Sequence, residues 1–105
     1  MNLTKIVYSP TADQLKDKIL RKYAGINAYF DQLEKRIQQS PYDATEEKDV
    51  IEGRPVTAYK RSVKTGLFSG NFFESYLYLS LLYTINESKQ QVVIIGAYIQ
   101  YYNAF

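Results

Sequence analysis

The sequence predicts an α+β fold: an N-terminal helix hairpin packed on one face of a small, mainly antiparallel four-stranded sheet. Three observations predict it. The last third of the chain holds two β-prone apolar runs, Tyr76 to Ile85 (YLYLSLLYTI) and Gln91 to Ile99 (QVVIIGAYI), joined by a short polar turn at Asn86 to Lys89. Two amphipathic stretches near the N-terminus repeat their apolar residues at helical spacing. A basic, alternating stretch lies between the two. The apolar runs are too β-prone and too hydrophobic to stay solvated, so they belong in the middle of a sheet, and the helices are its cover. At 105 residues the chain forms one domain spanning 1–105 with a single core.

Lys5 to Tyr8 reads as a short first strand. Ser9-Pro10 then starts a helix, because Ser9 can cap it and Pro10 suits the first helical position. Ala12, Leu15, Ile19 and Tyr23 make one apolar stripe. Asp13 and Asp17 come early while Lys18, Arg21 and Lys22 come late, in the sense that the helix dipole favours. Gly25 is the stop signal. Ile26, Tyr29, Phe30, Leu33 and Ile37 form the stripe of a second helix, which Ser40-Pro41 ends. The short link between them predicts an antiparallel hairpin.

Residues 43–53 carry Asp43, Glu46, Glu47, Asp49 and Glu52 and read as a polar, solvated loop. Their spacing fits no calcium loop, so no metal is expected. From Arg54 the character turns basic, with Arg54, Lys60, Arg61 and Lys64 and no acid between Glu52 and Glu74. Thr57 to Lys64 alternates as a second strand, with Lys60, Ser62 and Lys64 on one face and Tyr59, Arg61 and Val63 on the other. Gly66 to Gly70 with Asn71 reads as a flexible loop flanked by Leu67, Phe68, Phe72 and Phe73, apolar residues that tuck under the sheet or meet a partner. On the third strand Leu77, Leu79, Leu81, Tyr83 and Ile85 share the face placed under the helices; Tyr76, Tyr78, Ser80, Leu82 and Thr84 share the other.

Composition narrows the chemistry. The chain has no cysteine, which excludes disulfides and thiolate zinc sites, and no histidine, which removes the commonest acid–base group at neutral pH. A net charge of +2 is too small to argue for nucleic acid, so the placement of the charge must decide. No basic-then-apolar leader opens the sequence and no run approaches the ~20 apolar residues of a membrane span, so a soluble, cytoplasmic protein is expected. Eleven tyrosines without a tryptophan supply rings that fill a core, stack on bases or anchor a partner. The helix cations Lys16, Lys18, Arg21, Lys22, Lys35 and Arg36 are interleaved with acids, as in the i,i+4 pairs Asp17–Arg21 and Asp31–Lys35, and ordinary helix surface explains most of them.

KIVYSPTA at the start, QQSPYDA after the second helix, AYKRSVKTG in the second strand and LSLLYTINESKQQVVIIGAYIQYY at the end, in the order strand, two helices, three strands, resemble the RelE/ParE superfamily of bacterial toxin–antitoxin toxins. The resemblance spans nearly the whole chain. It implies a RelE-like fold whose open sheet face holds basic residues, and a toxin that inhibits translation by ribosome-dependent cleavage of messenger RNA. The implied partners are a cognate antitoxin, the ribosome and mRNA; no cofactor and no membrane are implied. The ParE branch implies the alternative, a non-nuclease that binds and inhibits a protein target such as DNA gyrase. A third reading is a degenerate module that only binds a partner. Carried over by position, Lys60 falls on the family's basic residue of the second strand, with Arg61 and Lys64 close by, and Tyr101 or Tyr102 on its late tyrosine; the candidate catalytic set is Lys60, Arg61, Lys64 and Tyr98, with Arg54, Tyr101 and Tyr102 as further RNA contacts. Ser80 stands where the family's nucleases usually carry an arginine, and Gly96-Ala97-Tyr98 stands where a Gly-x-Arg-like element usually ends the fourth strand. The endoribonuclease set is therefore incomplete. Metal-independent RNA cleavage needs a base for the 2′-hydroxyl proton, an acid for the leaving oxygen and cations for the phosphorane. A lysine serves as base only where burial or neighbouring cations bring its amine toward neutrality.

Overall fold

The computed structural model describes residues 4–51, 53–68 and 75–103. Along them run β1 (Lys5–Tyr8), α1 (Pro10–Lys22), α2 (Asn27–Gln39), β2 (Thr45–Ile51), β3 (Arg54–Phe68), β4 (Ser75–Asn86) and β5 (Gln91–Asn103). The strands form one sheet ordered β1-β5-β4-β3-β2. β1 lies parallel to β5, and the other neighbours are antiparallel. Among the described residues the fold is α+β, with two helices and a five-stranded mixed sheet.

The added strand is the acidic stretch. Residues 45–51 do not form a loop; they pair with β3 from Thr45 opposite Lys60 to Ile51 opposite Arg54. Gly53, at φ +77°, makes the turn between them in a conformation that other residues rarely adopt. β2 is an outer strand, and charged side chains are what protects a free edge from pairing with another chain. The hydrogen-bonding partner, and not local propensity, makes this segment a strand. The aromatic loop expected around Leu67 to Phe73 falls mostly outside the described residues; Leu67 and Phe68 close β3.

Ser9 caps α1 by accepting a hydrogen bond from the Ala12 amide at 3.2 Å, and Pro10 occupies the first turn. Gly25, at φ +83°, turns the chain into α2. Lys16 in the middle of α1 bonds Glu34 in the middle of α2 at 3.4 Å, a cross-link nearly equidistant from the turn, as an antiparallel hairpin requires. The Lys16 ammonium also lies 4.6 Å from the centre of the Tyr8 ring and 5.1 Å from that of Phe30. Burial, and next the Glu34 carboxylate, push the Tyr8 hydroxyl well above the ordinary tyrosine range.

Both helices cover the same face of the sheet. Ala12 and Ile19 of α1 join Phe30, Leu33 and Ile37 of α2 in one core with Leu79, Leu81 and Tyr83 of β4 and Val92, Ile94 and Ala97 of β5. The alternation expected on the third strand is the one observed, with Leu77, Leu79, Leu81 and Tyr83 all buried. No helix among the described residues is long and apolar enough to cross a membrane.

A tyrosine ladder closes one end of the core. Tyr59 stacks on Tyr83 at 5.8 Å and meets Tyr42 edge-on at 5.7 Å, while the Tyr83 hydroxyl donates to the Pro41 carbonyl at 2.6 Å. Burial pushes the Tyr83 hydroxyl up to about 12, against the pull of the Arg61 guanidinium. A folded-state value above the usual ~10 means that the folded protein holds its proton where the unfolded chain releases it. The contribution of Tyr83 is therefore complete below pH ~10 and is lost as pH rises toward 12, by up to roughly 2–3 kcal/mol. Urea denaturation across pH 9–12 should show stability falling through that window, with a shallower fall in Tyr83→Phe.

Candidate functional site

With both helices on one side, no helix among the described residues covers the other side of the sheet, and three strands contribute to it. Tyr59 and Val63 turn toward the helices, so period two puts Lys60, Ser62 and Lys64 of β3 on the open face. On β4 the corresponding residues are Tyr78, Ser80 and Leu82.

β5 reaches this face through a bulge. Ile94 stands opposite Tyr83 and Gly96 opposite Leu82, so Ile95 is one residue too many. Such an insertion shifts the alternation of everything after it. Ile94 and Ala97 can both face the core because of it, and Tyr98 and Gln100 emerge on the open side. An unbulged strand would turn Tyr98 inward.

Lys60 and Tyr98 meet there. The Lys60 ammonium lies 5.5 Å from the centre of the Tyr98 ring, reaching across the intervening β4. Beside them runs a polar row over the same three strands. Ser62 and Ser80 share a hydrogen bond of 2.7 Å, and Ser80 donates to the Gln100 side-chain carbonyl at 3.1 Å. Since Ser80 spends its one hydrogen on Gln100, Ser62 is the donor to Ser80. That order leaves the Gln100 amide NH₂ as the donor at the end of the row. Ser80 is fully buried, so its two bonds satisfy a hydroxyl that would otherwise be costly in the sheet. Lys60, Ser62 and Gln100 line an open cleft of about 480 Å³ at the start of β2, together with Asp43, Ala44 and Thr45.

Arg61 lines the same cleft but does another task. Its guanidinium donates to the Arg36 carbonyl at 2.9 Å and the Ser40 carbonyl at 3.1 Å, and lies 3.7 Å from the Asp43 carboxylate. These carbonyls end α2, where the helix dipole favours a cation. Arg61 thus ties the C-terminus of α2 to β3. Arg61→Ala should lower stability by about 2 kcal/mol, the usual range for lost charged hydrogen bonds of a part-buried group. Arg61→Lys should recover only part of it, because a single ammonium on a shorter stem lacks the second nitrogen that faces Asp43. Thermal denaturation of the two variants checks this.

The other residues singled out in the sequence are spread along the sheet. Lys64 shares the face of Lys60 and pairs with Tyr78 across the strands, four residues away or about 13 Å along the strand. Arg54 lies six residues from Lys60, about 20 Å, and lines a separate cleft of about 500 Å³ with Tyr42, Tyr59 and Glu87. There Tyr42 donates to the Glu87 carboxylate, which raises the Tyr42 hydroxyl to about 12. The backbones of Tyr101 and Tyr102 pair with Leu77 and Tyr76 in β4. Their side chains lie outside the described residues.

The sequence reading names Lys60 and Tyr98, which the structure brings together, and does not name Gln100 beside them. The signal was partial: Ser80 and Gln100 interrupt apolar, β-prone runs, whereas Ser62 lies among the charged residues of KRSVK. Among the described residues no three acidic side chains gather into a metal-binding cluster. Compared with protein-family models, with curated proteins and with solved structures, the chain finds no match.

Proposed function

We propose that this chain is the toxin of a RelE/ParE-type toxin–antitoxin pair, with a RelE-like fold, that halts translation by acting on messenger RNA in the ribosome. The observation that carries the reading is the open face itself. Both helices stay on the opposite side, and the bare side presents a lysine ammonium over a tyrosine ring next to a cleft lined by Lys60, Ser62 and Gln100. An ammonium and an amide NH₂ suit a phosphate, and a tyrosine ring suits an unstacked base.

In this reading solvent water takes the proton of the 2′-hydroxyl, whose oxygen attacks the adjacent phosphorus. The bond to the 5′-oxygen breaks as that oxygen gains a proton from water, leaving a cyclic phosphate and a free 5′-hydroxyl. Lys60 stabilises the phosphorane charge, Gln100 donates to a non-bridging oxygen, and Tyr98 holds the base of the neighbouring nucleotide. Inducing the gene in a bacterial host should arrest growth with broken mRNA, and a cognate antitoxin should relieve it.

One observation favours the second reading, inhibition of a protein target such as gyrase. Arg61 is committed to the carbonyls of α2 and to Asp43, which reduces the positive charge available to a phosphorane. Growth arrest with intact mRNA and reduced plasmid supercoiling would select that reading.

A further inference from the structure

The sheet comes apart at one end. Among the described residues the ladder between β3 and β4 stops at Tyr59 opposite Tyr83. Neither strand stops with it. β3 reaches back to Arg54, paired with β2 as far as Ile51. β4 runs on to Asn86, paired with Gln91 of β5. Each strand keeps its outer neighbour and loses its inner one, so β2 and β3 part together from β4 and β5. The backbone edges of residues 54–58 and 84–86 face the gap without pairing to each other.

The gap is the cleft of about 500 Å³ that Arg54 and Glu87 share. Small-molecule sites span roughly 300–1,000 Å³. Tyr59, stacked on the buried Tyr83, stands at its narrow end, where the ladder stops. Val56 of β3 and Ile85 of β4 give it apolar walls. Tyr42 meets Tyr59 edge-on and bonds Glu87 through its hydroxyl, yet remains 52% exposed. A ring held at both ends and still open is a surface on which a planar ligand can lie. Arg54 is the one cation that lines the cleft and Glu87 the one acid. Both are exposed, and among the described residues they form no ion pair with each other. The Tyr42 hydroxyl takes one acceptor site of Glu87, and a carboxylate offers about four.

We infer that this cleft binds a free amino acid with an aromatic side chain. The Arg54 guanidinium takes the ligand carboxylate as a planar fork, and Glu87 takes the ammonium. The ligand ring lies among Val56, Ile85 and the two tyrosines. The balance of charge decides among occupants. A nucleotide would bring a phosphate of about two negative charges to one cation, with a carboxylate opposing it. An uncharged extended peptide would pair with the strand edges and leave Arg54 and Glu87 without counter-charges. A zwitterion answers both. The inference does not rest on the toxin reading. Arg54 stands about 20 Å along β3 from Lys60, and the readout is binding to purified protein, so either can fail alone.

The test titrates ¹⁵N-labelled full chain with L-phenylalanine and three analogues. N-acetyl-L-phenylalanine keeps only the carboxylate, L-phenylalaninamide only the ammonium, and N-acetyl-L-phenylalaninamide neither. Uridine monophosphate is the fifth ligand. L-phenylalanine should shift the backbone amides of residues 54–59 and 84–87. Each single-charge analogue should bind about tenfold more weakly, the effect of one lost charged contact. Arg54→Met should weaken L-phenylalanine by about the same factor and leave L-phenylalaninamide as in the parent. Glu87→Gln should weaken L-phenylalanine and leave N-acetyl-L-phenylalanine unchanged. These matched exceptions separate a lost charge from a lost fold. No shift in the cleft at millimolar L-phenylalanine, equal binding of the analogues, tighter binding of uridine monophosphate, or variants that weaken every ligand alike would each overturn it.

Discussion

Leu81→Ala is expected to cost the fold about 3–5 kcal/mol, the upper part of the range for a leucine truncated in a core. Leu81 sits mid-strand in β4 with no exposed surface, opposite Arg61 on one side and Ala97 on the other. Ala97 is too small to fill the space, and Arg61 is held by the end of α2, so the cavity has few ways to collapse. Against a total of about 5–15 kcal/mol for a domain, that loss leaves the protein marginal or unfolded. Leu82→Ala makes the control. It removes the same atoms one residue further on, from the half-exposed open face, and should cost under about 1.5 kcal/mol. Urea denaturation with an unchanged slope reads both. Equal costs would mean that the two faces are equally covered, contrary to helices confined to one side.

Lys60→Ala is expected to release growth arrest while leaving stability within about 0.5 kcal/mol of the parent, as for other surface substitutions. Its ammonium meets the Tyr98 ring and the cleft. If it stabilises the phosphorane, its loss should slow cleavage by about 10²–10³-fold, the range for removing one donor aimed at developing charge. Combining it with Lys64→Ala should deepen the loss. Tyr98→Phe should keep most of the activity, since stacking needs the ring, and Tyr98→Ala should not. Arg61→Ala supplies the contrast: its defect should come with a lowered melting temperature, because that side chain holds α2.

Much of this arrangement is legible in the sequence, for local reasons. Ser9-Pro10 and Gly25 bound α1 through backbone chemistry that needs no tertiary partner. The alternating leucines of β4 declare its buried face. What escapes the sequence is set by partners far along the chain. β2 reads as an acidic loop because Thr45 to Ile51 becomes a strand only against β3. Arg61 reads as a site cation because the carbonyls it caps lie 25 and 21 residues away. The open face carrying Lys60, Ser62 and Lys64 follows from period two alone, yet the arrival of Tyr98 there depends on a single bulged residue, Ile95, that no local pattern announces. The polar row fails to stand out for a related reason: Ser62, Ser80 and Gln100 become a unit only once the register of three strands is known.

The central claim is that the bare face of the sheet, through Lys60 beside Tyr98, acts on messenger RNA. Mapping transcript ends by primer extension within minutes of induction tests it most directly, comparing the parent with Lys60→Ala at matched expression and melting temperature. The account predicts new 5′ ends inside coding regions for the parent and their loss in the variant. Growth arrest with intact transcripts, or a variant that cuts as the parent does, would contradict it.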